Sequence, residues 1–322
     1  MTDLQNNFFE VKRSGIHTTF QDKGRENLNH IGIPISGVMD KRNYILGNSL
    51  LKKNLNSPVI EFAYQGPLLK YYGKNIYIVV TGNVQFQILK KNKEFFKGET
   101  YKVYLIEDND QIDIQSTLNS VYGYLSISED FKLDKIWNSI STNTKAKIGS
   151  NNGEKISNNQ QINIDHKNKK VDLASLSYVN SKTTNLRILK GTNFEYFSDK
   201  AKETFLKNEF VVSKFTDRMG MRLEGQILEN IENTNIKSEG IVKGVMQVAS
   251  DGNPIIMLAD HGTIGGYPKI ANIISADFDK LSQAVPGSKI TFEEVNLEEA
   301  ENLFKNYNLE TNSLIRQINY NQ

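Results

Sequence analysis

A glycine-rich loop that follows an apolar strand holds the densest group of chemically useful residues. The run Ile255–Ala259 leads into the loop residues Asp260, His261, Gly262, Gly265, Gly266 and Tyr267. Glycine permits positive φ and close approach of the backbone to a ligand, and successive N–H groups in such a loop can bind an anion. His261 has the side chain suited to acid–base chemistry near neutral pH. The structural alternative is a tight β-turn with a hydrogen-bonded aspartate.

A second polar cluster, TFQDKGR at residues 19–25, places Gln21, Asp22 and Arg25 around a glycine. The planar guanidinium group of arginine suits a carboxylate or a phosphate. We therefore predict a contribution to a site for a small anion. The alternative is an Asp–Arg pair that holds a turn.

Two further segments carry acidic residues beside a strand or a helix. Asp217 and Arg218 lie in TDRMGMR (216–222), where a structural ion pair at a strand entry is the alternative to a binding role. Asp40 ends SGVMD (36–40) and precedes a helical pattern. Capping that helix is the role favoured for Asp40 on its sequence position alone.

Several classes of site and location are excluded or disfavoured. The chain has no cysteine, so thiolate catalysis, disulfides and cysteine-ligated zinc are excluded, and its four histidines lack metalloprotease spacing. No metal site, Walker A motif or G-x-S-x-G motif is present. A formal charge of +2 argues against nucleic acid as a partner. No secretory signal or membrane-spanning run is visible, so a cytoplasmic location is expected.

Short apolar or alternating runs dominate the elements that must position these residues. Examples are IYIVVT (76–81), VQFQIL (84–89) and the segments Tyr101–Ile106, Gln111–Gln115, Val121–Ile127 and Gln161–Asp165. A later set comprises Leu186–Leu189, Phe210–Phe215, Ile241–Val248, Pro254–Leu258 and Lys289–Phe292. This spacing predicts antiparallel barrels or sandwiches.

Helical patterns are few. The predicted helices are Asp40–Leu51, Asp199–Lys207, Ser275–Val285, with Ser275 or Asp277 as N-cap, and Leu297–Tyr307. With 322 residues the chain is long enough for two β-rich domains. We place them at 1–180, an N-terminal β-barrel-like domain, and 181–322, a C-terminal one.

Taken together, ten segments carry a resemblance to one family. They are TTFQDKGR (18–25), GIPISGVMD (32–40), GNSLL (47–51), IEFAYQGP (60–67), VVTG (79–82), TDRMGMRLEG (216–225), SEGIVKGVMQV (238–248), GNPIIMLAD (252–260), GGYP (265–268) and SQAVPG (282–287). In order and spacing they resemble the allophanate hydrolase subunit 2, or biotin-dependent carboxyltransferase, family. That family includes the C subunit of bacterial 5-oxoprolinase.

The resemblance implies a mainly β fold of tandem cyclophilin-like β-barrel domains with a few short helices. It implies a B-type partner subunit, similar to allophanate hydrolase subunit 1, and in 5-oxoprolinases a separate A-type lactam-hydrolase subunit. The assembled enzyme hydrolyses the lactam of 5-oxoproline to glutamate with ATP. No cofactor is expected to be bound covalently to this chain, and ATP would be used by the assembled complex.

The family motifs, together with His261 of the glycine loop, supply the candidate site. The candidates for catalysis are Asp22, Asp260 and His261. The candidates for binding a small anionic substrate are Gln21, Arg25, Asp40, Asp217, Arg218, Gln247, Gly265, Gly266 and Tyr267. We predict that the three segments around Asp22, Arg218 and Asp260 meet at one pocket, because a small carboxylate substrate needs convergent polar groups and arginine.

Four positions depart from the family pattern. Asn138 stands where the family usually has glycine, Ile140 where it has arginine, Glu154 where it has a second arginine, and Gly262, before Thr263, where it has glutamine. Drift in a chain rich in lysine and asparagine is one explanation, and a changed or weakened substrate site is the other.

Two rival functions remain open. One is the carboxyltransferase subunit of a biotin-dependent, urea-type carboxylase, with biotin carried on another chain because this one has no biotinylation motif. The other is a regulator without enzymatic activity that acts through its B-type partner.

Overall fold

The computed structural model describes residues 6–178, 184–231 and 235–320. It is mainly β, with 36% strand and 18% helix, which confirms the predicted fold class. The boundary that we predicted at residue 180 lies outside the described residues.

The chain begins with strands β1 (Phe8–Arg13), β2 (His17–Gln21), β3 (Val59–Ala63), β4 (Leu68–Tyr72), β5 (Ile76–Thr81), β6 (Val84–Leu89), β7 (Phe95–Lys97), β8 (Val103–Ile106), β9 (Gln111–Thr117), β10 (Tyr122–Ile127), β11 (Asp130–Phe131), β12 (Gln161–Asp165) and β13 (Ala174–Ser175). It continues with β14 (Asn185–Lys190), β15 (Phe210–Thr216), β16 (Gly220–Glu224), β17 (Glu239–Gly240), β18 (Val245–Val248), β19 (Pro254–Met257), β20 (Ile264–Gly265), β21 (Lys269–Ile273), β22 (Lys289–Glu294) and β23 (Asn319–Tyr320). The helices are α1 (Lys41–Leu50), α2 (Asp199–Lys207), α3 (Phe278–Ser282) and α4 (Leu297–Arg316). Short 3₁₀ turns are Asn29–Ile31, Asn151–Gly153, Phe194–Tyr196 and Ser275–Asp277.

The chain divides into two compact units that are not continuous in sequence. Unit 1 contains the described residues of Met1–Gly24, Asp40–Asn180 and Thr311–Gln322. Unit 2 contains those of Arg25–Met39 and Ser181–Glu310. Each unit therefore includes a segment that lies far from its main body along the chain.

Unit 1 is built from two sheets around one apolar core. One sheet has the order β11-β12-β1-β4-β9-β6-β7 and the other has the order β2-β3-β10-β5-β8. Ile60 and Phe62 of β3 point into the shared core, and so do Leu125 and Ile127 of β10. Because side chains alternate along a strand, the residues between them lie on the opposite face of the five-stranded sheet, against which α1 packs.

Unit 2 contains a closed barrel with the strand order β14-β21-β18-β19-β16-β15-β22. Phe205 of α2 stacks on Phe292 of β22, with ring centroids 4.8 Å apart, and Phe210 of β15 packs against both. These buried aromatic rings fix the helix on the barrel wall, since aromatic pairs stabilise beyond their burial alone.

Two of the predicted helices have other bounds in the structure. The segment Ser275–Val285 is a 3₁₀ turn followed by the short α3, because the Asp277 carboxylate pairs with Arg187 at 2.5 and 2.7 Å and does not cap a helix. The last helix continues past the predicted end at Tyr307 to Arg316, since no proline or glycine interrupts it.

Candidate functional site

The barrel of unit 2 brings Arg218 and Asp260 into direct contact. Arg218 lies in the turn between β15 and β16, and Asp260 follows β19, which pairs with β16. Arg218 Nε donates to Asp260 Oδ2 at 2.8 Å, and Arg218 Nη2 donates to Asp260 Oδ1 at 3.2 Å. The two side chains are only 5% and 2% exposed. This is a buried bidentate ion pair.

The same arginine fixes a second part of unit 2. Arg218 Nη2 donates to the Gly37 carbonyl at 2.6 Å, and the Ser36 N–H donates to the Ala259 carbonyl at 3.1 Å. The segment before Asp40 is thereby attached beside the loop that carries Asp260. The geometry supports positioning as the role of Arg218, and its role as a direct ligand of substrate stays a prediction.

His261 is buried, and its surroundings favour the neutral imidazole. Its Nδ1 lies 2.5 Å from the Gly262 carbonyl oxygen, and we assign the proton to Nδ1 because a carbonyl can only accept. Burial lowers the pKa of His261, against the opposing effects of that hydrogen bond and of the Asp260 charge. Nε2 is then the acceptor atom of a neutral imidazole, which is the form required of a general base.

The glycine loop has another backbone geometry than the one we expected. Gly265 belongs to a two-stranded ribbon of β17 and β20, and the Gly266 carbonyl accepts from the Ile236 N–H at 2.9 Å. Neither glycine, nor Gly262, has a positive φ. The prediction of left-handed glycines in this loop is therefore wrong, and with it the anion-binding nest, which needs such residues.

Close approach is the reason for glycine at position 265. A Cβ there would lie 2.6 Å from Nε2 of Gln247, a buried side chain of β18. Gln247 Nε2 donates to the Tyr267 carbonyl at 3.0 Å. Gln247, Gly265 and Tyr267 are thus brought together, and their role in binding a substrate stays a prediction.

The remaining acidic candidate of unit 2 has a local role. Asp217 is exposed, and its Oδ1 accepts from the Met219 N–H at 2.8 Å and from the Gly220 N–H at 3.3 Å. These bonds stabilise the β15–β16 turn.

Arg25, also in unit 2, is buried, and its backbone N–H donates to the Ile35 carbonyl at 2.9 Å.

In unit 1, Asp22 organises a distant segment of the chain. Its Oδ1 accepts from the Gly24 N–H, Ser139 Oγ and Ser141 Oγ at 2.8, 2.7 and 2.6 Å, and its Oδ2 accepts from the Ile140 N–H at 2.9 Å. Gln21 is equally buried at the end of β2, where its Nε2 donates to Thr19 Oγ1 and to the Thr142 carbonyl.

Asp40, also in unit 1, caps α1 as its position favoured. Its Oδ1 accepts from the Asn43 N–H at 3.0 Å, and its Oδ2 accepts from Asn43 Nδ2 at 2.7 Å. The meeting of Asp22 with Arg218 and Asp260 at one pocket stays a prediction.

Sequence reasoning missed a buried polar row on the outer face of the five-stranded sheet. Glu61 of β3 pairs with Thr19 of β2 and Tyr124 of β10, which in turn pairs with Thr81 of β5. Tyr124 Oη accepts from the Asp40 N–H at 2.7 Å. Burial, and then the charges of Glu61 and Asp40, raise the pKa of Tyr124. A lone glutamate inside the apolar strand VIEFA was the available signal.

Unit 2 contains a second missed contact. Lys269, 5% exposed at the start of β21, pairs with Glu239 of β17 at 2.5 Å. A lysine at the head of the apolar run KIANI was the signal.

Three of the positions that depart from the family pattern lie in different environments in unit 1. The Ile140 side chain lies in the core of unit 1, whereas its N–H binds Asp22. Asn138 lies in an exposed turn with φ of 61°. Glu154 is exposed and pairs with Lys147.

Two absences concern the described part of the chain. No group of three or more histidine, aspartate or glutamate side chains there could hold a metal ion. No helix there is long and apolar enough to cross a membrane.

The comparisons with known proteins agree with this architecture. The family described as "Carboxyltransferase domain, subdomain A and B" matches residues 31–294. The chain is 34% identical to the C subunit of Haemophilus influenzae 5-oxoprolinase, over 88% of this chain and 90% of the relative. It is 28% identical to the C subunit of Escherichia coli 5-oxoprolinase, over 90% and 92%.

A solved structure shows the same fold. The urea amidolyase of K. lactis superposes with a TM-score of 0.87 over 97% of this chain, at 21% identity. This chain spans 20% of the length of that protein.

Proposed function

This chain belongs to the carboxyltransferase domain, subdomain A and B, family, and from that membership we propose that it is the C subunit of an ATP-dependent 5-oxoprolinase-type complex. In this proposal the complex opens the lactam of 5-oxoproline to glutamate, and the chain acts with a B-type partner. The observation that carries the proposal is the identity of 34% to the C subunit of a 5-oxoprolinase across nearly the full length of both proteins.

The geometry of unit 2 supports distinct roles for three residues. His261 Nε2 is the base that accepts a proton from the water attacking the lactam carbonyl, since Nδ1 is held by Gly262. Arg218 and Asp260 act as positioning residues. Their ion pair fixes the start of the loop that carries His261, and the bond from Arg218 to the Gly37 carbonyl fixes the neighbouring segment. ATP is bound by another subunit, since this sequence has no nucleotide-binding motif.

The test is reconstitution with the B-type and A-type subunits, with ATP-dependent release of glutamate from 5-oxoproline as the measurement. We expect turnover by the assembled complex and none by this chain alone. His261→Asn in the complex should lower kcat by roughly 10²–10⁴-fold, the usual contribution of a general base. His30→Asn, at an exposed histidine of the same unit, is the matched control.

Turnover by the isolated chain, or an assembled complex that leaves 5-oxoproline intact, would overturn the proposal. Retained activity in His261→Asn would remove only the role of that residue.

One other function is favoured by a specific observation. The fold likeness to a urea amidolyase, with a TM-score of 0.87, supports a carboxyltransferase subunit that accepts a carboxyl group from biotin on another chain. Reconstitution with a biotinylated carrier and a biotin carboxylase distinguishes the two, because only the carboxyltransferase consumes bicarbonate. A chain active in neither assembly, but bound to its B-type partner, would be the regulator.

A further inference from the structure

Unit 1 has a cavity of about 290 Å³ that none of the site residues above lines. Its floor includes Phe20 and Ile162, which are 1% and 2% exposed. Its mouth includes the exposed side chains of Gln161 and Asn163 on β12. The volume is at the lower end of the range for small-molecule pockets, about 300–1,000 Å³. The cavity therefore suits a ligand smaller than a nucleotide.

Side-chain amides form the walls of this cavity and are already ordered by one another. Gln160 Nε2 donates to Asn151 Oδ1 at 2.6 Å, and Gln161 Nε2 donates to Asn163 Oδ1 at 2.8 Å. An amide has two N–H donors and an oxygen with two lone pairs. Asn151 Nδ2 also donates to the carbonyls of Glu154 and Lys155, and Gln160 Oε1 accepts from Ser157. That pair therefore offers a ligand one N–H of Gln160 and one lone pair of Asn151 Oδ1. The pair of Gln161 and Asn163 adds further donors and acceptors at the mouth.

The charge around the cavity is balanced. Lys132 and Asp134 contribute one charge of each sign, and no arginine lines the cavity. Recognition of a carboxylate or phosphate normally relies on arginine or on a local excess of positive charge. The half-buried Leu133 side chain adds apolar surface for C–H groups, whereas Phe20 and Ile162 are almost completely covered by the protein itself. This combination favours a neutral molecule with several hydroxyl groups.

A strained turn with an exposed aromatic ring follows Ile136, a residue that lines the cavity. Ile136 lines the cavity, and its N–H and C=O both bond to Ser139, which closes a two-residue turn of Trp137 and Asn138. Both turn residues have positive φ, 50° and 61°. Such a turn favours asparagine and glycine, and a bulky residue there costs of order 1–3 kcal/mol. Trp137 is nevertheless 49% exposed at this position.

We propose that this cavity is a binding site for a small neutral polyhydroxy compound, with the amide pairs as its hydrogen-bonding walls. The site shares a wall with the Asp22 cluster but differs from it. Ser150, a lining residue, donates through N–H and Oγ to the Ile140 carbonyl, and the Ile140 N–H donates to Asp22. The proposal does not depend on the reaction that the assembled complex performs.

The test uses D-glucose as the neutral probe and inorganic phosphate as the charged one. The full chain is labelled with ¹⁵N, and the side-chain amide signals of Asn151 and Gln160 are followed with the indole signal of Trp137, the only tryptophan. We expect saturable shifts with glucose in the millimolar range and none with phosphate.

Matched variants locate the binding. Gln161→Phe fills the mouth and should weaken glucose binding by at least about tenfold, since desolvated polar groups lose their partners. Gln85→Phe makes the same change at an exposed strand position outside the cavity and should bind as the parent does. Asn163→Phe is a second mouth variant if Gln161→Phe folds poorly.

The absence of saturable shifts with glucose overturns the proposal. So do shifts produced by phosphate instead of glucose, or equal binding by the mouth variants and Gln85→Phe.

Discussion

At the residue scale, a buried ion pair connects two loops of unit 2. Arg218 and Asp260 form a bidentate ion pair, and Arg218 also donates a hydrogen bond to the Gly37 carbonyl. A buried ion pair contributes little net stability compared with a well-packed apolar pair, whereas removal of one partner leaves an uncompensated charge. The pair therefore acts chiefly to fix geometry.

Arg218→Met should lower the free energy of unfolding by about 3–5 kcal/mol, because Asp260 would remain buried without its partner. Arg222→Met is the matched control. Arg222 pairs with Asp251 at the surface, where both side chains are more than a third exposed, and this change should cost less than about 1 kcal/mol. Urea unfolding measures the loss in the free energy of unfolding for both variants. Equal losses in the two variants would contradict the structural role of Arg218.

His261 should make stability depend on pH in a defined direction. Its folded pKa lies below the unfolded value of about 6.5, so the unfolded chain binds a proton first as the pH falls. The contribution of His261 is complete above pH 6.5 and is lost as the pH falls toward its folded pKa. In His261→Asn the fall in the free energy of unfolding below pH 6.5 should become smaller. In His30→Asn, at an exposed histidine, that fall should remain. An unchanged slope in His261→Asn would show that the ring is not held neutral.

At the scale of elements, the ribbon of β17 and β20 depends on a glycine that faces a glutamine. Gly265→Ala should displace the Gln247 side chain and cost about 1 kcal/mol, the worth of its bond to Tyr267. Gly240→Ala lies across the ribbon with open space around its Cβ and should be close to neutral. Thermal unfolding of the Gly265→Ala and Gly240→Ala variants measures the two losses of stability. With Gln247→Ala already present, Gly265→Ala should have a much smaller effect, and additive losses would exclude this contact as the cause.

Elements with strong local patterns could be predicted from the sequence alone. The strands β5, β6 and β12 and the helix α2 have the predicted bounds. A short apolar run marks β5, alternation marks β6 and β12, and a serine N-cap marks α2. Short strands such as β17 and β20 could not be found, since they exist only through pairing with each other.

The contacts among the candidate site residues could not be predicted from the sequence. Arg218 and Asp260 are 42 positions apart, and neither segment alone indicates an ion pair. Asp22 binds Ser139 across 117 positions, so only the fold reveals that contact.

At the scale of the whole molecule, the C-terminal residues matter to the unit that they join. Leu314, Ile315 and Ile318 pack in an apolar cluster of unit 1 with Leu50 and Val103. Ile318→Ala should cost about 2–5 kcal/mol and speed amide exchange in α1 and β8. Leu309→Ala, at a side chain 65% exposed, should change stability by less than about 0.5 kcal/mol. Faster exchange confined to the barrel strands of unit 2 would contradict this assignment.

The bond from Arg218 to the Gly37 carbonyl has a consequence for synthesis. The two residues are 181 positions apart, and ribosomes add about 5–20 residues per second. Gly37 therefore leaves the ribosome roughly 10–40 seconds before Arg218. Throughout that interval the barrel that will pack around the segment Arg25–Met39 is incomplete, because its strands β16, β18, β19, β21 and β22 follow Arg218 in the chain. We expect nascent chains halted before Arg218 to expose this segment to proteases and chaperones, and full-length chains to protect it.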